Sequence, residues 1–159
     1  VVPFCSLADS PLLARVFNSY DRETTDFYRW TQVYELRELS ALVREKSGVD
    51  IGELTALEPL AKGASGRIFR LRVVGTKNSF IVGKELEIRR ILSPSHLRSS
   101  AFDAEFTSDG RVILRGLGWG HGVGLCQIGA AVMADRGYGY RAILEHYYPG
   151  TQVSESLSK

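Results

Sequence analysis

GLGWGHGVG at residues 116–124 is followed by LCQIGAAVMADRG at 125–137 and YRAILEHYYPG at 140–150, and this last third sets the terms for the rest of the chain. Glycine occupies every even position from 116 to 124, so five of the chain's 16 glycines fall in nine residues. Alternate glycines do not serve a strand core, because glycine adds no packing area and loses more backbone entropy than any other residue. They serve close approach. Either another backbone or a helix packs tightly on this segment, or a ligand lies against it with Trp119 and His121 projecting. The segment is not a phosphate loop, since no lysine follows its last glycine and no βαβ unit with a downstream acid surrounds it. The small-residue run after it and the YRAILEHYY stretch are helix candidates. The expected fold is therefore α+β, with mixed or antiparallel strands upstream and a Gly-rich segment leading into C-terminal helices.

Working outward, two strands at 101–106 and 111–117 flank the turn Ser108-Asp109-Gly110 and read as a hairpin. Residues 84–92 form a short helix stopped at Ser93-Pro94. Candidate strands cover 53–60, 67–74 and 79–82. In the second, Ile68, Arg70, Arg72 and Val74 alternate with Phe69, Leu71 and Val73, which places Phe69 on the Leu71 face. FYRWTQVY at 27–34 is an aromatic-rich strand, with Trp30 and Tyr34 on one face and Val33 on the other. Leu36, Leu39, Leu42 and Val43 then trace a helical stripe that ends at Gly48. Residues 1–26 are turn-rich, and the apolar start from Val1 to Phe4 reads as a strand edge needing a partner.

The 159 residues suit a single core, and 44% hydrophobic with 24% charged residues is the balance of a globular domain. Twenty basic against 18 acidic residues leave a net charge of +2 with no Lys/Arg block, so no nucleic-acid partner is indicated. Cys5 and Cys126 are far apart and form no CxxC pair. The N-terminus has neither an initiator Met nor the basic and apolar regions of a signal peptide, and so reads as a chain excised from something longer.

Few residues carry chemistry. His121 is a candidate hydrogen-bonding group at the mouth of a cleft, against the plainer reading of a histidine bonded to backbone. Gln127, expected four residues into a helix and partly buried, either ties down the glycine segment or reaches into a site. Trp119 and Tyr147 offer flat apolar faces with polar edges, which suit the C–H faces of sugars but equally finish a core; Tyr148 stands beside them. The helix that precedes these tyrosines is expected to bury Ile143 and Leu144. Cys126 reads as a small hydrophobe more readily than as a nucleophile paired with His121 or His146. His121, Cys126 and His146 match no metal-ligand spacing, and His96 lacks a ligand-like context, so neither metal nor cofactor is expected.

The run GLGWGHGVGLCQIGAAVMADRGYGYRAILEHYYPGT at 116–151 closely resembles the C-terminal signature of the SpoIID/LytB family. SGRIFRLRVVG at 65–75, the helix at 84–92 and SHLRSSAFDAEF at 95–106 follow the family's order of segments, so the resemblance covers nearly the whole chain. It implies a bacterial, extracytoplasmic protein of the cell envelope whose partner is the peptidoglycan glycan strand. Lytic transglycosylase members of the family cut that strand to leave 1,6-anhydro ends and prefer strands stripped of stem peptides. Their chemistry needs one carboxyl that first protonates the glycosidic oxygen and then helps deprotonate the muramoyl 6-hydroxyl.

The family's catalytic glutamate sits in an EMP-like motif followed by an ARTYA-like run, and neither motif occurs here. By this resemblance the chain is the C-terminal portion of a SpoIID-like domain, completed by the remainder of its own protein, with no catalytic residue of its own. Trp119, His121, Gln127 and Tyr147 are then its substrate-binding set, His121 and Gln127 in supporting roles. Glu105 and Glu145 are the carboxylates nearest these motifs, each in the context of a solvated position. The LytB side of the family implies an alternative: a non-catalytic wall-binding module or enhancer with a cell-wall amidase as partner.

Overall fold

The computed structural model describes residues 29–154, so the expectations for residues 1–26, for Phe27 and Tyr28 and for Cys5 lie outside the described residues. The fold is α+β, and the described residues form two three-stranded antiparallel sheets and four helices. The described chain divides into two compact units, residues 29–122 and a second that contains residues 123–154.

The first unit holds both sheets. Strand β1 (Arg29–Glu35) runs directly into helix α1 (Leu36–Ser47), whose stripe buries Leu39 and Val43 completely. Gly48 takes the left-handed conformation that ends the helix, and its N–H donates to the Arg44 carbonyl. Ser40 lies on the same buried face. Its hydroxyl donates to the Leu36 carbonyl at 2.7 Å and accepts the Leu54 N–H at 2.9 Å, which fastens α1 to the start of β2. The meander β2 (Leu54–Lys62), β3 (Ile68–Gly75) and β4 (Ser79–Gly83) forms one sheet with β3 in the centre. Pro59 is tolerated because β2 is an edge strand, where a missing N–H costs no ladder bond on the open side.

One expectation fails here. Strict alternation puts Phe69 on the buried face, yet Phe69 is 45% exposed while Ile68, Leu71 and Val73 are all fully buried. The register slips on both strands, with Pro59 opposite Leu71, Ala61 opposite Arg70 and Lys62 opposite Ile68. That irregularity resets the phase of the side chains, an effect no local period encodes.

Helix α2 (Glu85–Ile91) contributes Ile88 and Ile91 to the core. The second sheet has the order β1-β6-β5, from β5 (Phe102–Phe106) and β6 (Arg111–Leu117), so the C-terminal strand of the hairpin is central and pairs with the first strand of the unit. A continuous apolar core, including Leu39, Ile51, Ile68, Leu71, Ile88 and Leu114, joins the two sheets and both helices.

In the β5–β6 turn the Asp109 carboxylate accepts from the Arg111 guanidinium and the Thr107 hydroxyl. These bonds, Arg111's foremost, lower its pKa from 3.8 to about 2. A carboxyl whose folded pKa is depressed stabilises the fold fully above its unfolded value and stops doing so as pH falls through the folded one. The stability difference between the parent and Asp109→Asn, read from denaturant midpoints at pH 2 to 5, is thus expected to shrink as pH falls from about 4 to 2. The turn is exposed, so added salt should diminish the difference at every pH.

The second unit contains helices α3 (Gln127–Asp135) and α4 (Tyr140–Tyr147), which contact one another. Val132 and Met133 of α3 are buried. Contrary to expectation α4 has no fully buried residue, and Ile143 and Leu144 are half-buried.

Candidate functional site

The glycine segment leaves the central strand β6 under tight control. Trp30 on β1 pairs with Gly116 on β6, and this residue, 6% exposed, sets its indole against that glycine. A Cβ at position 116 would stand 2.0 Å from Trp30 Cζ2, so only glycine admits the ring. The indole Nε1–H then donates to the Gly118 carbonyl at 3.1 Å. Leu117 is fixed from the other side, its N–H donating to the Ala101 carbonyl at 2.8 Å and its carbonyl accepting the Ser99 hydroxyl at 2.6 Å.

Beyond Leu117 the loop is organised by two arginines. Arg67, immediately before β3, donates from Nε to the Gly120 carbonyl at 2.7 Å and from Nη2 to the Trp119 carbonyl at 3.3 Å. The same guanidinium occupies the space a side chain would need at position 122, where an added Cβ would lie 2.3 Å from Nη1 and where the backbone has φ of +73°. The Gly120 N–H donates to the Arg98 carbonyl at 2.7 Å. Arg98 in turn sets its guanidinium carbon 5.6 Å from the centroid of the Trp119 ring. The alternating glycines therefore answer to close approach, here by an indole at 116 and a guanidinium at 122. Trp119, its carbonyl tied back, is 52% exposed, and His121 two residues on is exposed.

Trp119 and His121 belong to the unit of residues 29–122, whereas Gln127 and Tyr147 belong to the unit containing 123–154. Gln127 is exposed, contrary to expectation, because the helix starts at this residue instead of several residues before it. The N-cap is Cys126, whose Sγ accepts the Gly129 N–H at 3.4 Å, a structural task the sequence reading did not foresee. Five residues of chain separate His121 from the first helical residue. Tyr147 is half-buried and meets the His146 ring edge-on at 4.8 Å between centroids. Tyr148 accepts the Leu125 N–H on its hydroxyl at 3.3 Å.

Glu105 is exposed on β5 and ion-paired with Arg115 on β6, and Glu145 is exposed on α4. Among the described residues no group of three or more His, Cys, Asp or Glu side chains is arranged to hold a metal ion, and no helix is long and apolar enough to cross a membrane. Arg67 and Arg98 were not singled out from sequence. Arg67 stands there only as the first residue of a strand pattern, and the contacts of both are made 21 to 53 positions away.

A family model described as a domain of unknown function (DUF8618) matches residues 2–124. Stage II sporulation protein D of Bacillus amyloliquefaciens is 31% identical over 150 residues, which cover 93% of this chain and 39% of that protein. The protein of the same name from Bacillus subtilis (strain 168) is 29% identical over 146 residues, 92% of this chain and 39% of its own length. An amidase enhancer from Bacillus subtilis (strain 168) is 46% identical over 41 residues, 26% of this chain and 6% of its own length. The chain thus spans about two fifths of the two sporulation proteins it matches.

Proposed function

Because the chain belongs to the family described as a domain of unknown function (DUF8618) and is related to stage II sporulation protein D, we propose that it takes part in processing peptidoglycan glycan strands outside the cytoplasmic membrane. The names of its relatives support a role connected with sporulation or with amidase enhancement. The finer reading is of the lytic transglycosylase type. This chain supplies a glycan-binding surface, and the general acid comes from the remainder of the parent protein.

The observation that carries the reading is the exposed Trp119 indole, presented on a loop whose carbonyls are locked by Arg67 and Trp30. An aromatic ring held in place beforehand loses little entropy when a sugar ring stacks on it, so its contact energy appears as affinity. His121, exposed two residues on, offers hydrogen bonds to ring substituents.

Trp119→Ala is expected to weaken binding to isolated glycan strands about tenfold, the equivalent of ~1.4 kcal/mol, with the folding midpoint unchanged because the ring is half outside. Calorimetric titration with purified strands checks this, and equal affinity of the two proteins would remove Trp119 from the surface. Mass spectrometry of strands incubated with this chain and with its full-length parent tests the division of labour. Anhydro-ended products with the parent alone support it. Products from the 159 residues alone place the acid within them, with Glu105 and Glu145 the first to mutate.

The match to the amidase enhancer favours a second reading, in which the chain stimulates a cell-wall amidase. Faster wall hydrolysis by an amidase when the chain is added, without anhydro ends, distinguishes it.

A further inference from the structure

We infer that the outer edge of β4 is the surface through which two copies of this chain pair, joining their meanders into one continuous antiparallel sheet. The described residues present four edge strands, β1, β2, β4 and β5, and three of them carry the features that keep an open edge from recruiting another strand. β1 has Arg29 and Glu35 at its ends, β2 has Pro59, Lys62 and its register slips, and β5 has Asp103 and Glu105. β4 has none of these. Ser79–Gly83 reads SFIVG, without a charge or a proline, and its register against β3 runs without a break.

The ladder fixes which backbone groups face outward. The Gly75 N–H donates to the Asn78 carbonyl and the Lys84 N–H to the Phe69 carbonyl, both at 3.0 Å, so Phe80 and Val82, in step with Asn78 and Lys84, make the bonds to β3. Ser79, Ile81 and Gly83 therefore turn their N–H and C=O groups to the open side, and all three residues are exposed.

This edge is complementary to itself. About a two-fold axis at Ile81, antiparallel pairing sets Ile81 against its copy and Ser79 against Gly83, so every outward N–H meets a carbonyl. Phe80 and Val82, half-buried at the rim of the core, face each other across the same pair, and Ile81, 48% exposed, covers its copy on the opposite face. Charge does not oppose the arrangement. Arg72 lies one strand in from Ile81, is ion-paired with Glu58, and would stand about 14 Å, three strand spacings, from its copy.

A single pair of short strands covers less area than a permanent dimer, so the association should be reversible, with half of the chains paired at a concentration on the order of 100 µM. Sedimentation velocity of the chain in reducing buffer, over a roughly hundredfold range around that value, is expected to show the passage from one chain to two. Ile81→Lys sets two ammonium groups together at the axis and should stay a monomer throughout. Ile81→Glu should do the same, and an equimolar mixture of the two should pair roughly tenfold more readily than either alone, because opposite charges then meet.

A parent that remains a monomer across the range overturns the inference. So do Ile81→Lys pairing as readily as the parent and a mixture of the folded variants that stays monomeric. Should a variant fail to fold, amide exchange of the parent decides. The N–H groups of Ser79, Ile81 and Gly83 are expected to exchange more slowly as concentration rises, and exchange that ignores concentration overturns the pairing.

Discussion

Gly116→Ala is expected to lower the stability of the protein by about 3 kcal/mol, a fall in melting temperature of roughly 10 °C. The new methyl group would stand 2.0 Å from Cζ2 and 2.1 Å from Cε2 of Trp30, and the ring is enclosed, so it must leave its place. Leaving costs part of the ring's burial and also the Nε1 bond to the Gly118 carbonyl, which contributes about 1 kcal/mol. Chemical denaturation of the two proteins measures the loss. Adding Trp30→Leu to Gly116→Ala should be less harmful than the sum of the two single changes, because the smaller side chain makes room for the methyl group. An alanine tolerated at 116 without loss would mean that the indole does not lie on this strand.

The second large effect belongs to Arg67→Ala, expected to cost about 2–3 kcal/mol and to weaken glycan binding at least as much as Trp119→Ala. Two loop carbonyls lose the charged donor that gathers them, and the space around Gly122 empties. Arg67→Lys should restore only part of either property. A single ammonium on a flexible stem does not reproduce a planar fork that reaches the Trp119 and Gly120 carbonyls together. Calorimetric binding alongside thermal unfolding reports both. Full glycan affinity in a folded Arg67→Ala protein would show that the loop needs no clamp to present Trp119.

What could be read from sequence was whatever local chemistry determines. The 101–106 and 111–117 hairpin announced itself through Ser108-Asp109-Gly110, and α1 through its Leu36–Val43 stripe and Gly48. The alternate glycines signalled close approach without naming what approaches. The indole of Trp30 arrives from 86 positions away along β1, and the Arg67 guanidinium from more than 50, so no window along the chain contains both partners. Phe69 was misplaced because a bulge is a property of two strands, and alternation along one strand is blind to its partner. Gln127 lies at the helix start because Cys126 caps the helix through its sulfur, a role that this residue type does not signal in sequence. The antiparallel order β1-β6-β5 was likewise beyond a residue-by-residue reading, since it depends on which distant strand completes the core.

That order also governs the sequence in which the parts of the molecule can come into being. The β2-β3-β4 meander joins neighbours along the chain, and all its residues have emerged by Gly83. The other sheet has its first strand at residues 29–35 and its central strand at 111–117, so during synthesis β1 must wait for some 80 further residues before its ladder can close. Long-range antiparallel pairing of this kind is the slow step of a fold. Trp30 waits with it, an indole without its glycine. The loop that displays Trp119 is consequently ordered only after β1 and β6 have paired, when the earlier meander has already put Arg67 in place.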